Sequence, residues 1–437
     1  MALPTKARAH ALVASVAGLA LVSPVIHHKE PPTPASSPHA LGVVAQWDKI
    51  AERTVVIENL TPIPVVPLYL SFTSVAMYDA VVSVKGGFEP YALHRRPPNA
   101  RDASGPAAVA TAAYRVLRHY FPASADNLDA NYAAALTRIP DGPREELGIT
   151  VGEAAARAVI RLRSNDGRDD DRITLDPLLR PGGWRPTPPD HADMLVPWLG
   201  FVRPMVLDSP AQVTPEGPRK LRSAAYAREL REVRTMGAAN STARTPAQTE
   251  TALFFTDNSV AQYQAAMRRA AVNRDLSMLA RTRMFALVNT ATADALIACW
   301  KAKYDHAYWR PITAIRRAAH DGNAATSPDP TWTPLAPTPP YPEYPSGHAC
   351  ITGSVTRGLS HLFGQARINL EVESAVTGTT RHYQGAHALN KQSMNARIWL
   401  GLHFRTGMVD ANQLGQRTAA YVAAHAFRPS PMMRPTP

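Results

Sequence analysis

Cysteine is scarce in this chain of 437 residues, which has only Cys299 and Cys350. Two thiols exclude a multi-bridge disulfide scaffold and any site built from several thiolates. They leave either a single bridge or, as the more ordinary arrangement, two free buried cysteines. Runs of like charge are also missing. The formal charge is +12 and the pI about 9.8, yet no five basic residues stand together and no basic stripe is interleaved with aromatics. Nucleic acid is therefore not the expected partner, and the positive balance remains available for a small anion. After the first 26 residues no segment reads as a membrane span, so stable membrane insertion is not expected. Alternating β-branched runs are few, which disfavours a sheet protein.

What the chain does have is 45% hydrophobic and 19% charged residues, the balance of a folded protein. Helical spacing recurs over 68–84, 106–120, 144–164, 219–235, 246–258, 277–304, 349–363, 388–402 and 409–427. The expected fold is all-α, two four-helix-bundle-like cores joined by long Pro-rich loops. Many of the 40 prolines fall in 176–218 and 327–345, where they stop helices and stiffen connections. Lys6 and Arg8 precede a short apolar run over 11–26. Residues 1–28 thus read as a secretory signal and the protein as extracellular. Residues 29–42 read as a Pro-rich linker, 43–428 as one helical domain with its anion site within 294–410, and 429–437 as a disordered tail.

Three segments carry chemistry: Lys303-Tyr-Asp-His-Ala-Tyr-Trp-Arg310-Pro311, Pro345-Ser346-Gly347-His348, and Arg397-Ile-Trp-Leu-Gly-Leu-His403. Lys303 and Arg310 are two helical turns apart, so their cationic heads are expected on one face at the end of a long helix. Lysine supplies a point charge, and the planar arginine fork suits two oxygens of a tetrahedral anion. Ser346 and Gly347 stand before an apolar helix, where free amides and the dipole favour an anion. His348, in the first turn, is placed to exchange protons with an arriving or departing oxygen. Arg397 and His403, six apart, require a bend near Gly401 to face inward together. His403 then serves either as nucleophile toward phosphorus or as ligand to a metal-centred oxyanion. Alone, each of these side chains reads as a structural histidine or a solvated charge; it is their order and spacing that point to one site.

Together these residues resemble the shared signature of vanadium-dependent haloperoxidases and type-2 phosphatidic acid phosphatases. Trp300, Trp309, the stretch 311–316 and the run from Tyr341 to His348 are similar to the bacterial haloperoxidase branch, with weaker likeness at 76–80, 184–186 and 254–258. The resemblance implies vanadate, or phosphate in its place, with His403 as apical ligand to vanadium. Lys303, Arg310, Ser346, Gly347 and Arg397 would hold the oxygens, His348 would be the acid–base residue, and Trp300 and Tyr341 would line the pocket. It also implies hydrogen peroxide, a halide and a small organic acceptor as reactants, and a homodimer. A phosphatase, a halide-independent rearrangement enzyme and a silent oxyanion binder are the alternatives. The phosphatase pattern places Ser before the Arg and Asp four residues after the last His, but this chain has Ala396 and Gly407. The imidazole therefore needs another carboxylate, and Asp410, Asp257 and Asp294 are the candidates. His306 either reaches the site or lies at the surface.

Overall fold

Two helices in the computed structural model, α2 (Val66–Lys85) and α9 (Met278–His306), are apolar on nearly every side, the composition of a helix packed all round by others. α2 is also long and apolar enough to cross a membrane, contrary to the sequence expectation, but 94% of its apolar window is buried in protein. Residues 38–364 and 367–431 are described. The leader 1–28 and most of the expected linker lie outside them.

α2 packs on α3 (Gly105–Tyr120), α5 (Pro143–Leu162) and α9, with α1 (Pro38–Glu52) alongside. Around α9 gather α11 (Gly347–Phe363) and α13 (Arg405–His425), with α12 (Ala386–Trp399) against α11. The result is two bundle-like cores sharing the α2–α9 contact. Close approach is built in with glycine. A Cβ at Gly152 would stand 2.5 Å from Ala108 O on α3, and one at Gly353 2.3 Å from Asn412 O on α13. Shorter helices cover the flanks: α4 (Ala125–Leu136), α6 (Ala224–Met236), α7 (Pro246–Phe254), α8 (Ser259–Asn273) and α10 (Pro311–Arg316).

Buried carboxylates pin loops to both central helices. Asp79 on α2 accepts the amides of Tyr91, Ala92 and Leu93, and Asp294 on α9 accepts those of Met205, Val206 and Leu207 at 2.5, 2.8 and 2.9 Å. The Tyr91 hydroxyl donates to Met205 O, tying the two loops together.

The fold is mainly helical as expected, with one addition. β1 (Arg367–Ser374) and β2 (Thr379–Gly385) form an antiparallel hairpin that buries Ile368, Leu370 and Val372. Asp257 accepts the Ala375 amide at its turn. Both ends of the domain also extend further than expected. α1 opens at Pro38, inside the stretch taken as linker, and breaks at Gly42, where φ is +69°. At the other end Phe88 pairs with Pro429, and the Ser430 amide donates to Gly87 O, so the expected tail is attached at least to residue 430.

Candidate active site

α9 ends at His306, where Ala307 turns left-handed (φ +40°) and returns its amide to Lys303 O. Arg310 lies beyond that stop, extended, as the residue preceding α10. The expected shared helical face is therefore replaced by a chain reversal, clamped by the Trp184 amide on Ala307 O and the Trp309 amide on Gly182 O. The two cations still converge. Lys303 Nζ and the Arg310 guanidinium lie 5.0 and 4.7 Å from the centroid of the Tyr341 ring. Tyr341 meets Trp300 at 5.1 Å between centroids, so both aromatic residues expected in the pocket wall stand against the cations.

Lys303 has carbonyl partners that the sequence did not suggest. Its ammonium donates to the carbonyls of Pro342, Glu343 and Pro345 at 2.7, 3.2 and 2.5 Å, which uses all three of its protons. It ties down the loop before α11 and contributes charge through space. Arg310 donates from Nε to Tyr341 O and from Nη1 to Leu402 O, and Arg397 from Nη1 to Phe255 O. Past α12 the chain bends at Gly401 (φ +79°), as the Arg397–His403 spacing required. A Cβ there would lie 2.6 Å from Gly237 O.

Ser346 is the N-cap of α11 but its side chain makes no capping bond. Gly347 packs beneath Trp300, whose Cζ3 would lie 3.1 Å from an added Cβ. Three donors here are buried and have no hydrogen-bond partner: Arg310 Nη2, Arg397 Nε and Ser346 Oγ. Orphaned buried donors carry a desolvation penalty of about 1–3 kcal/mol each, which an oxyanion relieves. Three buried cations face one buried carboxylate, Glu343, and this positive excess also calls for an anion. Among the described residues no group of three or more His, Cys, Asp or Glu side chains gathers to hold a bare cation. The donor set fits a tetrahedral oxyanion such as vanadate or phosphate.

His403 is buried, with Nδ1 at 2.9 Å from Glu343 Oε1, which also accepts the Phe404 amide at 3.1 Å. Oε1 is thus the acceptor and Nδ1 carries the proton. Nε2 presents its lone pair to the cradle, 3.3 Å from Arg310 Nη1. Glu343 was not foreseen, although it stands in the Tyr341–His348 run. The carboxylates that were considered serve elsewhere: Asp410 accepts the Tyr344 hydroxyl, Asp257 holds the hairpin turn, and Asp294 holds the 205–207 loop. His306 packs half-buried against Tyr344, outside the cradle. Cys299 and Cys350 are both free and buried.

Burial, reinforced by the neighbouring guanidinium and ammonium groups, keeps both imidazoles well below the usual histidine range. Burial, opposed by Lys303 and Arg310, pushes the Glu343 carboxyl up to about 8. Burial likewise lowers Lys303 to about 8 and Arg397 to about 10. Of the seven cradle residues only His348 is partly exposed. It marks the mouth of the cradle.

Residues 283–430 match the family model described as the VCPO second helical-bundle domain. Over 249 residues the chain is 27% identical to vanadium chloroperoxidase of Curvularia inaequalis, a stretch covering 42% of this chain and 40% of that protein. The match thus spans less than half of the curated relative. The fold superposes on the crystal structure of a bacterial vanadium-dependent iodoperoxidase with TM-score 0.75 and 21% identity, over 92% of this chain and 99% of the other. It superposes on a holo-type bacterial vanadium-dependent chloroperoxidase with TM-score 0.66 and 17% identity, over 89% and 93%. The chain is thus similar to vanadium chloroperoxidase, residues 283–430 match the VCPO second helical-bundle domain, and the described fold is that of the bacterial vanadium-dependent haloperoxidases.

Proposed function

We propose that this protein is a vanadate-dependent haloperoxidase that uses hydrogen peroxide to oxidise chloride or bromide and so halogenates a small organic acceptor. The observation that carries this reading is the set of orphaned buried donors, Arg310 Nη2, Arg397 Nε and Ser346 Oγ, beside His403, whose Nε2 faces the cradle next to Arg310 Nη1. Arg310, Arg397 and Ser346 would hold oxygens, and His403 would be the side chain that ligates the vanadium. Bound vanadate supplies Lewis-acid activation of peroxide without changing its own oxidation state. His348, neutral and at the mouth, is the group that accepts a proton from incoming peroxide and returns it to a departing oxygen. Lys303 holds the 342–345 loop and adds positive charge beside the reacting oxygens. Trp300 and Tyr341 wall the cations from water, which strengthens each of these interactions. The basic, apolar leader supports export, and the biological setting we propose is secondary metabolism.

A phosphomonoesterase is the second reading, and one observation favours it. Glu343 on His403 Nδ1 restores the polarised imidazole that a phosphohistidine needs. The deciding experiment reconstitutes the protein with orthovanadate and follows halogenation of a β-diketone with peroxide and bromide or chloride, beside an aryl phosphate control. Vanadate-dependent halogenation is expected. Phosphate release inhibited by vanadate, without halogenation, would move the chain to the phosphatases.

A further inference from the structure

Position 407 is where the phosphatase pattern places the carboxylate that orients the last histidine, and in this chain it is glycine. The carboxylate is nevertheless there. A Cβ built on Gly407 would stand 2.3 Å from Glu343 Oε1 and 2.9 Å from Oε2, so the Glu343 carboxylate fills the space that a side chain at 407 would enter. It arrives from the loop before α11, held by Lys303 on its own carbonyl and on those of Pro342 and Pro345. The Ser346 amide donates to Gly407 O at 3.0 Å and locks the two segments together. From that place Oε1 accepts from His403 Nδ1 and the Phe404 amide at once.

We propose that Glu343 is the positioning residue of His403: it supplies from a different element the carboxylate expected at 407, and Gly407 is glycine because Glu343 occupies its side-chain space. The two positions then form an exchangeable pair, Glu with Gly here and a small residue with Asp in the other arrangement. Either pairing puts one acceptor on Nδ1 and leaves the Nε2 lone pair facing the cradle. This rests on the reading of His403 as the imidazole that faces the oxyanion, and is independent of which reaction follows.

The test uses the full chain, labelled with 15N-histidine, and the variants E343A, E343Q, G407D and E343A/G407D, with H403Q to assign the His403 signals. The ring nitrogen shifts report the tautomer, and equilibrium dialysis with orthovanadate, competed by inorganic phosphate, reports affinity. Wild type is expected to show Nδ1–H and an unprotonated Nε2. E343A is expected to mix the tautomers and weaken orthovanadate about 10–100-fold. E343Q keeps an acceptor oxygen and should stay within a few-fold of wild type. G407D alone forces two carboxylates into one space and should lose affinity, and adding E343A should recover most of it, a coupling that a double-mutant cycle reads directly. A wild-type tautomer and affinity in E343A would overturn the proposal. So would an E343A/G407D variant no better than E343A. Should E343A not fold, an E343A/G407D variant that folds and recovers the Nδ1–H tautomer and orthovanadate binding supports the proposal, and one that does not overturns it. A wild type that binds orthovanadate with the expected tautomer yet never halogenates sinks the haloperoxidase reading and leaves this one standing.

Discussion

Arg310 Nη1 lies 3.3 Å from His403 Nε2, while Glu343 holds His403 Nδ1. A guanidinium has only donors, so the ring is fixed from both sides in one tautomer before any ligand arrives. Such preorganisation means that the imidazole needs little rearrangement on binding.

His403→Ala is therefore expected to abolish orthovanadate binding in equilibrium dialysis and halogenation with it. His348→Ala, altering a group at the mouth, should keep binding while turnover falls about 10²–10⁴-fold, the usual contribution of a positioned acid–base group. Full activity in His403→Ala would sink the assignment.

Ser346 separates anion binding from helix stability. A capping serine replaced by alanine ordinarily costs about 1 kcal/mol, but the Ser346 side chain makes no capping bond. Ser346→Ala should leave the thermal midpoint within about 1 °C while orthovanadate affinity drops about tenfold or more, the worth of one hydrogen bond to a charged group. A lowered midpoint with unchanged affinity would return the residue to a purely structural role.

Much of this site was legible because its parts are local. Ser346-Gly347-His348 before an apolar helix and the bend at Gly401 are properties of a few adjacent residues, and both appear as expected. Relations across the fold were not legible. Arg310 reaches Lys303 through a reversal at Ala307 clamped by the 182–184 loop, which helical spacing does not encode. Glu343 lies among prolines and looks like a loop residue until His403, 60 positions later, is folded onto it. α8 was missed because Gln262, Gln264 and Arg268 are buried on it among the apolar positions, blurring the 3.6-residue period. The hairpin's inward Ile368, Leu370 and Val372 carry a period of two, a signal short enough to vanish beside long helices.

Asp294→Ala should unfold the domain at markedly lower urea. Its carboxylate satisfies three amides at 2.5–2.9 Å, and each donor left buried and unpaired costs about 1–3 kcal/mol. A loss of about 3 kcal/mol or more is expected, with Asp294→Asn milder because one acceptor oxygen remains. A loss under about 1 kcal/mol for Asp294→Ala would show that the 205–207 loop is held by something else.

Asp48 ties stability to pH. On α1 it meets Arg268 of α8 at 2.7 Å, and Glu52 meets the same guanidinium nitrogen at 2.6 Å. Burial, opposed by Arg268 and assisted by Glu52, pushes Asp48 up to about 7 from its ordinary 3.8. Between those values the folded chain binds more protons than the unfolded one, so this group's contribution is fully present below about pH 4 and is lost as pH rises through about 7. The change is bounded at about 4 kcal/mol. Urea unfolding from pH 4 to 8 should show wild-type stability falling relative to Asp48→Asn, which keeps an acceptor for Arg268 but no longer titrates. Glu52→Gln should move the fall to lower pH, because it removes the second negative charge that disfavours ionised Asp48. Parallel curves for wild type and Asp48→Asn would mean that the α1–α8 junction stays ionised throughout, with Arg268 overcoming the burial of the carboxylate.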